Sequence, residues 1–201
     1  MSIRIILWLV MTVFPLTVVA QAHKDVKHKH WTKKYDHFFK KNSKRYFGPN
    51  FDWHLFKAQG IVESGLDPNA KSHVGAKGLM QIMPATYQEI IEKHPRIGGK
   101  IDEPRWNIAA AIYYCRQLYK RWQKKKVPSE ERMKFTFASY NAGFNGVLKA
   151  RKKSREFHKK KNIQQQLKLI NHWGSITPFL PKETRNYIQR IENLMHDKPL
   201  S

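Results

Sequence analysis

The sequence contains one cysteine and few acidic residues. Cys115 alone cannot form an intramolecular disulfide, so a disulfide framework is excluded. Aspartate and glutamate number 15 against 38 lysine and arginine residues, which gives a formal net charge of +23 and a pI near 10.2. This charge exceeds what solubility requires and favours an anionic partner, such as nucleic acid, acidic lipid or an acidic polymer outside the cytoplasm.

The sequence also lacks the common signatures of a metal centre. There is no HExxH motif, and His23, His28 and His30 have no carboxylate or cysteine at ligand spacing. We interpret these histidines as part of a solvated basic tail at residues 23–34. No metal ion or other cofactor is expected.

The N-terminus has the composition of an export signal. Arg4 precedes an apolar stretch at residues 5–19, which Pro15 interrupts, and Ala20-Gln21-Ala22 forms a small-x-small cleavage site. The apolar stretch is shorter than the roughly 18 residues of a spanning helix. We therefore predict cleavage after Ala22 and location in the periplasm or cell envelope, with a retained anchor as the alternative.

Long runs of alternating polar and apolar residues are absent, whereas apolar residues at helical spacing are frequent. With 201 residues, 41% of them hydrophobic, the chain is large enough for one domain, which we place at residues 35–196, with a short C-terminal tail at 197–201. The predicted class is mainly α, with at most a short β-hairpin in residues 65–82. The first predicted helix contains Phe38, Phe39 and Tyr46, and the second follows Asp52 and runs from Trp53 to about Ser64. The third contains Pro84, Tyr87 and Ile90, and the fourth contains Ile108, Ile112, Cys115, Leu118 and Trp122. The fifth contains Ser129, Met133 and Phe137 and ends before Gly143, and the sixth contains Tyr187, Ile188 and Ile191.

Glu63 is the strongest candidate for a catalytic acid. It ends the second predicted helix, and Phe56, Gln59 and Gly60 precede it at i−7, i−4 and i−3. Burial among such residues would raise the pKa of the carboxyl. The alternative is a surface glutamate at the end of an amphipathic helix. The polar Gln81, inside an apolar run that follows, argues against an ordinary surface segment.

Residues 63–86, ESGLDPNAKSHVGAKGLMQIMPAT, resemble the catalytic segment of lytic transglycosylases of the soluble-lytic-transglycosylase (SLT) type, in the lysozyme-like superfamily. Later segments at family-like distances are Asn107-Ile108 with Tyr114 and Leu118, the run from Ser139 to Gly143, and Glu183-Thr184 with Tyr187. The resemblance covers roughly residues 35–195. Ala111, Cys115 and Phe144 depart from the usual family residues; Phe144 replaces a frequent proline and is expected to affect the groove wall.

The resemblance implies a single catalytic carboxylate, Glu63. It implies that Ser72, Gln81 and Met83 line sugar subsites, and that Tyr140 and Asn141 lie beside the Glu63 carboxyl and the substrate N-acetyl group. Tyr140 also fits plain core packing. Asp67 is interpreted as a turn residue in an Asp-Pro dipeptide, and not as a second catalytic carboxylate.

The implied reaction is cleavage of the β-1,4 bond between N-acetylmuramic acid and N-acetylglucosamine in peptidoglycan, with 1,6-anhydromuramic ends. Hydrolysis of the same bond by a muramidase is the alternative within enzymes. A non-catalytic cationic protein that binds cell wall or nucleic acid is the alternative outside them, because residues 149–161 hold eight lysines or arginines. Export disfavours nucleic acid, we expect a monomer, and a membrane surface or an envelope secretion or assembly protein stays open as a partner for the charge.

Overall fold

The computed structural model describes residues 31–160 and 171–198. These residues form eight α-helices and no sheet, so the prediction of a mainly α fold is confirmed. The predicted signal and the histidines of the basic tail lie outside the described residues. In the described part, no helix is long and apolar enough to cross a membrane. The helices are α1 (Asp36–Phe47), α2 (His54–Ser64), α3 (Pro84–Lys93), α4 (Pro104–Lys124), α5 (Ser129–Ala142), α6 (Phe144–Lys160), α7 (Trp173–Ile176) and α8 (Lys182–His196).

The helix boundaries follow local sequence signals. Helix α2 begins at His54, one residue later than predicted, and its first amide bonds to Asp52 Oδ1 at 3.0 Å. Pro84 occupies the first turn of α3, where its missing N–H costs no hydrogen bond. Gly143 ends α5 with φ of 75°, a conformation that glycine adopts without steric cost, and α6 begins at the next residue.

Helix α4 forms the centre of the core. Its apolar face is fully buried and packs chiefly against α1 and α5. Phe144 is also buried, with its ring centroid 4.7 Å from that of Trp122 and with the Arg121 guanidinium over its face. This departure from the family pattern is therefore accommodated by core packing. The fully buried residues of α4 include Ile108, Ala110, Ala111, Ile112, Cys115, Leu118 and Trp122.

The segment between α2 and α3 is a compact loop with two isolated β-bridges, Lys71 to Lys77 and Lys77 to Ile82. Asn107 on α4 anchors it, because its amide accepts from Met80 N at 2.8 Å and donates to Lys77 O at 3.0 Å. Gly78 lies so close to this amide that a Cβ there would be 2.6 Å from Asn107 Nδ2. The loop is thus fixed to the core beside the end of α2, and we name residues 65–83 the active-site loop.

The first described residues are attached to α2. Trp31 lies inside the segment predicted to be a tail, yet it is buried, and the Lys57 ammonium lies 5.2 Å from its ring centroid. Lys57 itself is buried and pairs with Asp36 at 2.6 Å. The domain boundary at residue 35 stays a prediction.

Candidate active site

Glu63 lies in the last turn of α2. The helix ends at Gly65, which adopts a left-handed conformation with φ of 67° and donates from its N–H to Ile61 O at 2.8 Å. Glu63 lines a cleft of about 600 Å³ between this helix end and the C-terminal half of α8. From α8 and the residue after it, Arg190, Asn193 and Asp197 line the same cleft. The carboxyl group therefore has access to a space large enough for a ligand.

The Glu63 carboxylate accepts one short hydrogen bond, from the Tyr187 hydroxyl at 2.6 Å. Burial raises the pKa of Glu63 from its ordinary value to about 7. The Tyr187 hydrogen bond and the positive charge of Arg190 lower the pKa, but they do not offset the loss of hydration. The carboxyl can consequently hold or release a proton near neutral pH.

Tyr140 lies beside the same carboxyl. Its hydroxyl donates to Met80 O at 2.7 Å, which fixes the ring against the active-site loop. Burial, and then the negative charge of Glu63, raise the pKa of Tyr140 well above its usual range. Tyr140 is thus a neutral hydrogen-bond donor. Its side chain packs in the core and lies beside the Glu63 carboxyl.

Gln59 and Cys115 support this arrangement from within the core. Gln59 is one turn before Glu63 and is fully buried, and the Cys115 thiol donates to its Oε1 at 3.6 Å. The Gln59 amide also lowers the pKa of the Tyr187 hydroxyl, although burial dominates and the net pKa is raised. Burial raises the pKa of the Cys115 thiol far out of the range of a nucleophile. Cys115 is therefore a core residue, as its position on an apolar helix face predicts.

Ser72 and Gln81 organise the backbone of the active-site loop. The Ser72 hydroxyl accepts from Ala76 N at 3.0 Å. Gln81 has a positive φ of 46°, and its Nε2 donates to Gly78 O at 2.9 Å and to Ala70 O at 3.1 Å. Both side chains are partly exposed, and their contact with sugar subsites stays a prediction.

Met83 and Asn141 come from different elements, the active-site loop and the last turn of α5. Met83 is 41% exposed. The Asn141 amide oxygen accepts from the Thr184 hydroxyl at 2.8 Å, which joins the end of α5 to the start of α8. Their roles toward a substrate stay predictions.

The structure brings Glu63, Tyr140 and Tyr187 together around one carboxyl. Tyr187 is absent from the site residues that the resemblance implies, although Glu183-Thr184 and Tyr187 mark the closing motif. It is 124 residues from Glu63 in the chain, and its apolar spacing on α8 indicates only a core position. Arg190, one turn further along α8, also was not predicted. The motif was the signal that could have assigned Tyr187.

Two other carboxylates lie near Glu63 in the chain or in space. Asp67 is exposed and its Oδ1 accepts from Asn69 N at 2.9 Å, so it serves the turn that the Asp-Pro dipeptide predicts. Asp197 lines the Glu63 cleft and contacts His196 at 3.2 Å. Within the described residues, no carboxylate is among the groups that shift the pKa of Glu63.

Comparisons with known proteins place the chain in one family. Residues 38–163 match the model of the transglycosylase SLT domain. The chain is 31% identical over 141 residues, or 70% of its length, to a membrane-bound lytic murein transglycosylase F of Shewanella oneidensis. It is 34% identical over 120 residues, or 60% of its length, to the protein of the same name from Desulfosudis oleivorans. The crystal structure of the 70-kDa soluble lytic transglycosylase of Escherichia coli superposes with a TM-score of 0.61 over 90% of the chain, at 25% identity.

The chain spans about a quarter of each of these proteins: 26% of the Shewanella protein, 25% of the Desulfosudis protein and 26% of the E. coli chain. The matched part contains the helix that ends in Glu63, the active-site loop and the helices that carry Tyr140 and Cys115. The chain belongs to the SLT-domain transglycosylase family.

Proposed function

We propose that this chain is a peptidoglycan lytic transglycosylase that cleaves the β-1,4 bond between N-acetylmuramic acid and N-acetylglucosamine and leaves 1,6-anhydromuramic ends. The observation that carries the proposal is the Glu63 carboxyl, which has a pKa of about 7, one tyrosine donor and no carboxylate that shifts its pKa among the described residues. A carboxyl that exchanges its proton near neutral pH suits a reaction in which the same group acts first as acid and then as base.

In the first step, protonated Glu63 gives its proton to the glycosidic oxygen that leaves C1 of the muramic residue. With a pKa of about 7, about half of the protein carries this proton at pH 7. At the ordinary glutamate pKa the fraction would be about 0.3%. The substrate 2-acetamido group supports the developing positive charge at C1, in place of a protein nucleophile.

In the second step, ionised Glu63 takes the proton of the muramic C6 hydroxyl. The C6 oxygen attacks C1 of the same sugar, and the anhydro ring forms without consumption of water. Because nucleophile and electrophile belong to one molecule, the reaction has a high effective molarity. The Tyr187 hydrogen bond at 2.6 Å stabilises the ionised carboxylate between the two steps.

The surrounding residues are proposed to position the glycan. Ser72 and Gln81 present partly exposed polar groups from a loop that their own hydrogen bonds hold rigid. Met83 supplies an exposed apolar surface for a sugar face. Tyr140 and Asn141 are proposed to lie beside the N-acetyl group, and we keep residues 35–196 as the catalytic domain.

Hydrolysis by a muramidase is the second candidate, because Asp197 lines the same cleft as Glu63. An inverting hydrolase would need a second carboxylate to activate water. Under the lytic mechanism, Asp197→Asn and Asp67→Asn retain activity and product type. Loss of activity in Asp197→Asn to the level of Glu63→Gln would favour the hydrolase.

The test is mass analysis of the muropeptides released from purified peptidoglycan. The proposal expects ends lighter than reducing ends by one water, and none from the Glu63→Gln variant. Predominantly reducing ends would contradict it and favour the muramidase. Binding to peptidoglycan without any released product would favour a non-catalytic wall-binding protein.

The proposed place of action is the cell envelope, where peptidoglycan is found. The predicted signal at residues 1–22 and the named membrane-bound relatives support this location. Sequencing of the mature N-terminus from an exporting host checks the proposed cleavage after Ala22, since His23 should be the first residue. Retention of Met1 in a membrane fraction would indicate an anchor.

A further inference from the structure

A second cavity of about 480 Å³ lies between α1, the loop that follows α3, and the start of α4. It shares no lining residue with the Glu63 cleft. Its size is within the range of small-ligand sites in proteins. We name it the basic pocket, because five of its lining side chains are Lys, Arg or His: His37, Lys41, Arg45, Arg96 and Arg105.

Within residues 31–160 and 171–198, the basic side chains of this pocket have no acidic partner. The lining side chains include no carboxylate, and among the described residues none of Lys41, Arg45, Arg96 and Arg105 makes a salt bridge. Like charges around one concave surface raise the local positive potential and attract an anion.

The pocket also has apolar walls that the fold holds in place. The aromatic residues Phe38, Tyr46 and Trp106 are among its lining residues. The Trp106 indole packs directly on Gly99, where a Cβ would lie 1.7 Å from the ring. The Tyr87 hydroxyl donates to Gly99 O at 2.7 Å and fixes that backbone. The cavity is therefore preformed, and it suits an anion with carbon groups between its charges better than a bare inorganic ion.

We infer that the basic pocket binds the acidic stem peptide of peptidoglycan, whose free carboxylates alternate with methyl and methylene groups. This inference rests on the proposed function for the identity of the polymer. The guanidinium groups of arginine can each bind a carboxylate through two hydrogen bonds. The aromatic lining residues would contact the aliphatic parts of the peptide. Helix α4 connects the two sites, because Trp106 lines the pocket and the next residue, Asn107, bonds to Met80 N in the active-site loop.

The test measures binding of free stem tetrapeptide by titration calorimetry at physiological salt. The Arg96→Glu/Arg105→Glu variant reverses the charge on two walls, and Lys149→Glu/Lys153→Glu makes the same change in net charge on the exposed side of α6. We expect the pocket variant to bind about tenfold more weakly, a loss within the range that two exposed ion pairs produce. The α6 variant should bind like the unchanged protein.

Equal weakening in both variants would contradict the inference, because it would indicate general attraction of a basic protein. Displacement of the peptide by inorganic phosphate or a dinucleotide at lower concentration would also contradict it and favour a phosphate ligand. Should the reversal unfold the chain, Arg96→Gln/Arg105→Gln replaces it, with weaker binding again expected and unchanged binding contradicting the inference.

A separate readout distinguishes this inference from the proposed function. The pocket variant should still form 1,6-anhydro ends from peptide-free glycan strands at the rate of the unchanged protein. If the unchanged protein forms no such ends but binds the tetrapeptide through the pocket, the proposed function is contradicted and the pocket inference is supported. If the ends form but the tetrapeptide does not bind, the pocket inference fails alone.

Discussion

Two carboxyl groups lie at opposite ends of helix α2, and their pKa values shift in opposite directions. Asp52 precedes the first turn, and although burial raises its pKa, hydrogen bonds from Lys198 and His54 outweigh burial and lower it below the ordinary value. Glu63 lies in the last turn, where burial raises the pKa to about 7. One helix thus carries one carboxyl that stays ionised and one that exchanges its proton near neutrality.

The difference arises from the partners and from the helix ends. The Asp52 carboxylate accepts from the His54 amide at the helix N-terminus, and the Lys198 ammonium is 2.7 Å away. Glu63 is at the C-terminal end, where the helix dipole disfavours negative charge, and its hydrogen-bond donor is a neutral hydroxyl. A buried acid without a bonded cation is therefore the feature that separates the catalytic carboxyl from the structural one.

The largest expected effect is on activity, which should depend on the Glu63 carboxyl and not on the Asp52 carboxyl. Glu63→Gln keeps the size of the side chain but cannot transfer a proton, so we expect product release from peptidoglycan to fall by about 10³-fold or more. Asp52→Asn should retain activity within about threefold, because it removes a surface ion pair far from any proton transfer. Release of soluble muropeptides per unit time measures both, and equal loss in two folded variants would contradict the comparison.

The same Glu63→Gln variant should stabilise the folded protein at high pH. Since the folded pKa of Glu63 is raised, its stability contribution is complete below the ordinary pKa of 4.5 and is lost as pH rises through about 7. After a discount for the partial exposure of Glu63, we compare the free energy of unfolding of the variant with that of the unchanged protein. We expect this difference to favour the variant by about 1 to 2 kcal/mol more at pH 8 than at pH 4. Denaturant unfolding at the two pH values measures this, and a pH-independent difference would contradict it.

Tyr187→Phe sharpens the assignment of the Glu63 environment. The variant removes the hydrogen bond that stabilises the ionised carboxylate, so the pKa of Glu63 should rise by roughly one unit further. The limb of the pH–rate profile that reports Glu63 should move upward by that amount, and the maximal rate should fall by about tenfold. A lower rate with an unmoved limb would indicate that Tyr187 acts on folding and not on the carboxyl.

The smallest expected effect concerns Asp52. Its folded pKa is lowered, so its stability contribution is present above the ordinary carboxyl pKa and is lost as pH falls through the folded pKa. Lys198→Met removes the Lys198 hydrogen bond that lowers this pKa. The free energy of unfolding should fall by about 0.5 kcal/mol at pH 7, a discounted value for a pair with both side chains about one third exposed. The cost should vanish at pH 2, and persistence of the full difference there would show that Lys198 acts through packing.

The helices and the catalytic candidate could be predicted from sequence because their signals are local. Pro84, Gly143 and the apolar face around Cys115 mark boundaries and burial within a few residues of the element that they describe. Glu63 was found from an ordered motif together with the apolar residues before it. The same local signals made Asp67 a turn residue, which the Asn69 hydrogen bond bears out.

The remaining features depend on contacts between distant segments, which periodicity does not encode. Tyr187 reaches Glu63 across 124 residues, and its spacing on α8 is that of any core tyrosine. The bridges of the active-site loop depend on Asn107, about thirty residues away in the chain. The Asp36 to Lys57 pair and the basic pocket likewise join elements whose mutual position the sequence pattern left open.

The most direct test of the account is the titration of the Glu63 carboxyl itself, observed by carbon-detected NMR in protein labelled at glutamate side chains. The Glu63→Gln variant identifies the signal by its absence. The account predicts a single transition with a pKa near 7, well above the ordinary glutamate value of 4.5. A midpoint between 4 and 5 would contradict the account, because Glu63 would then lack the proton that the first step of cleavage requires.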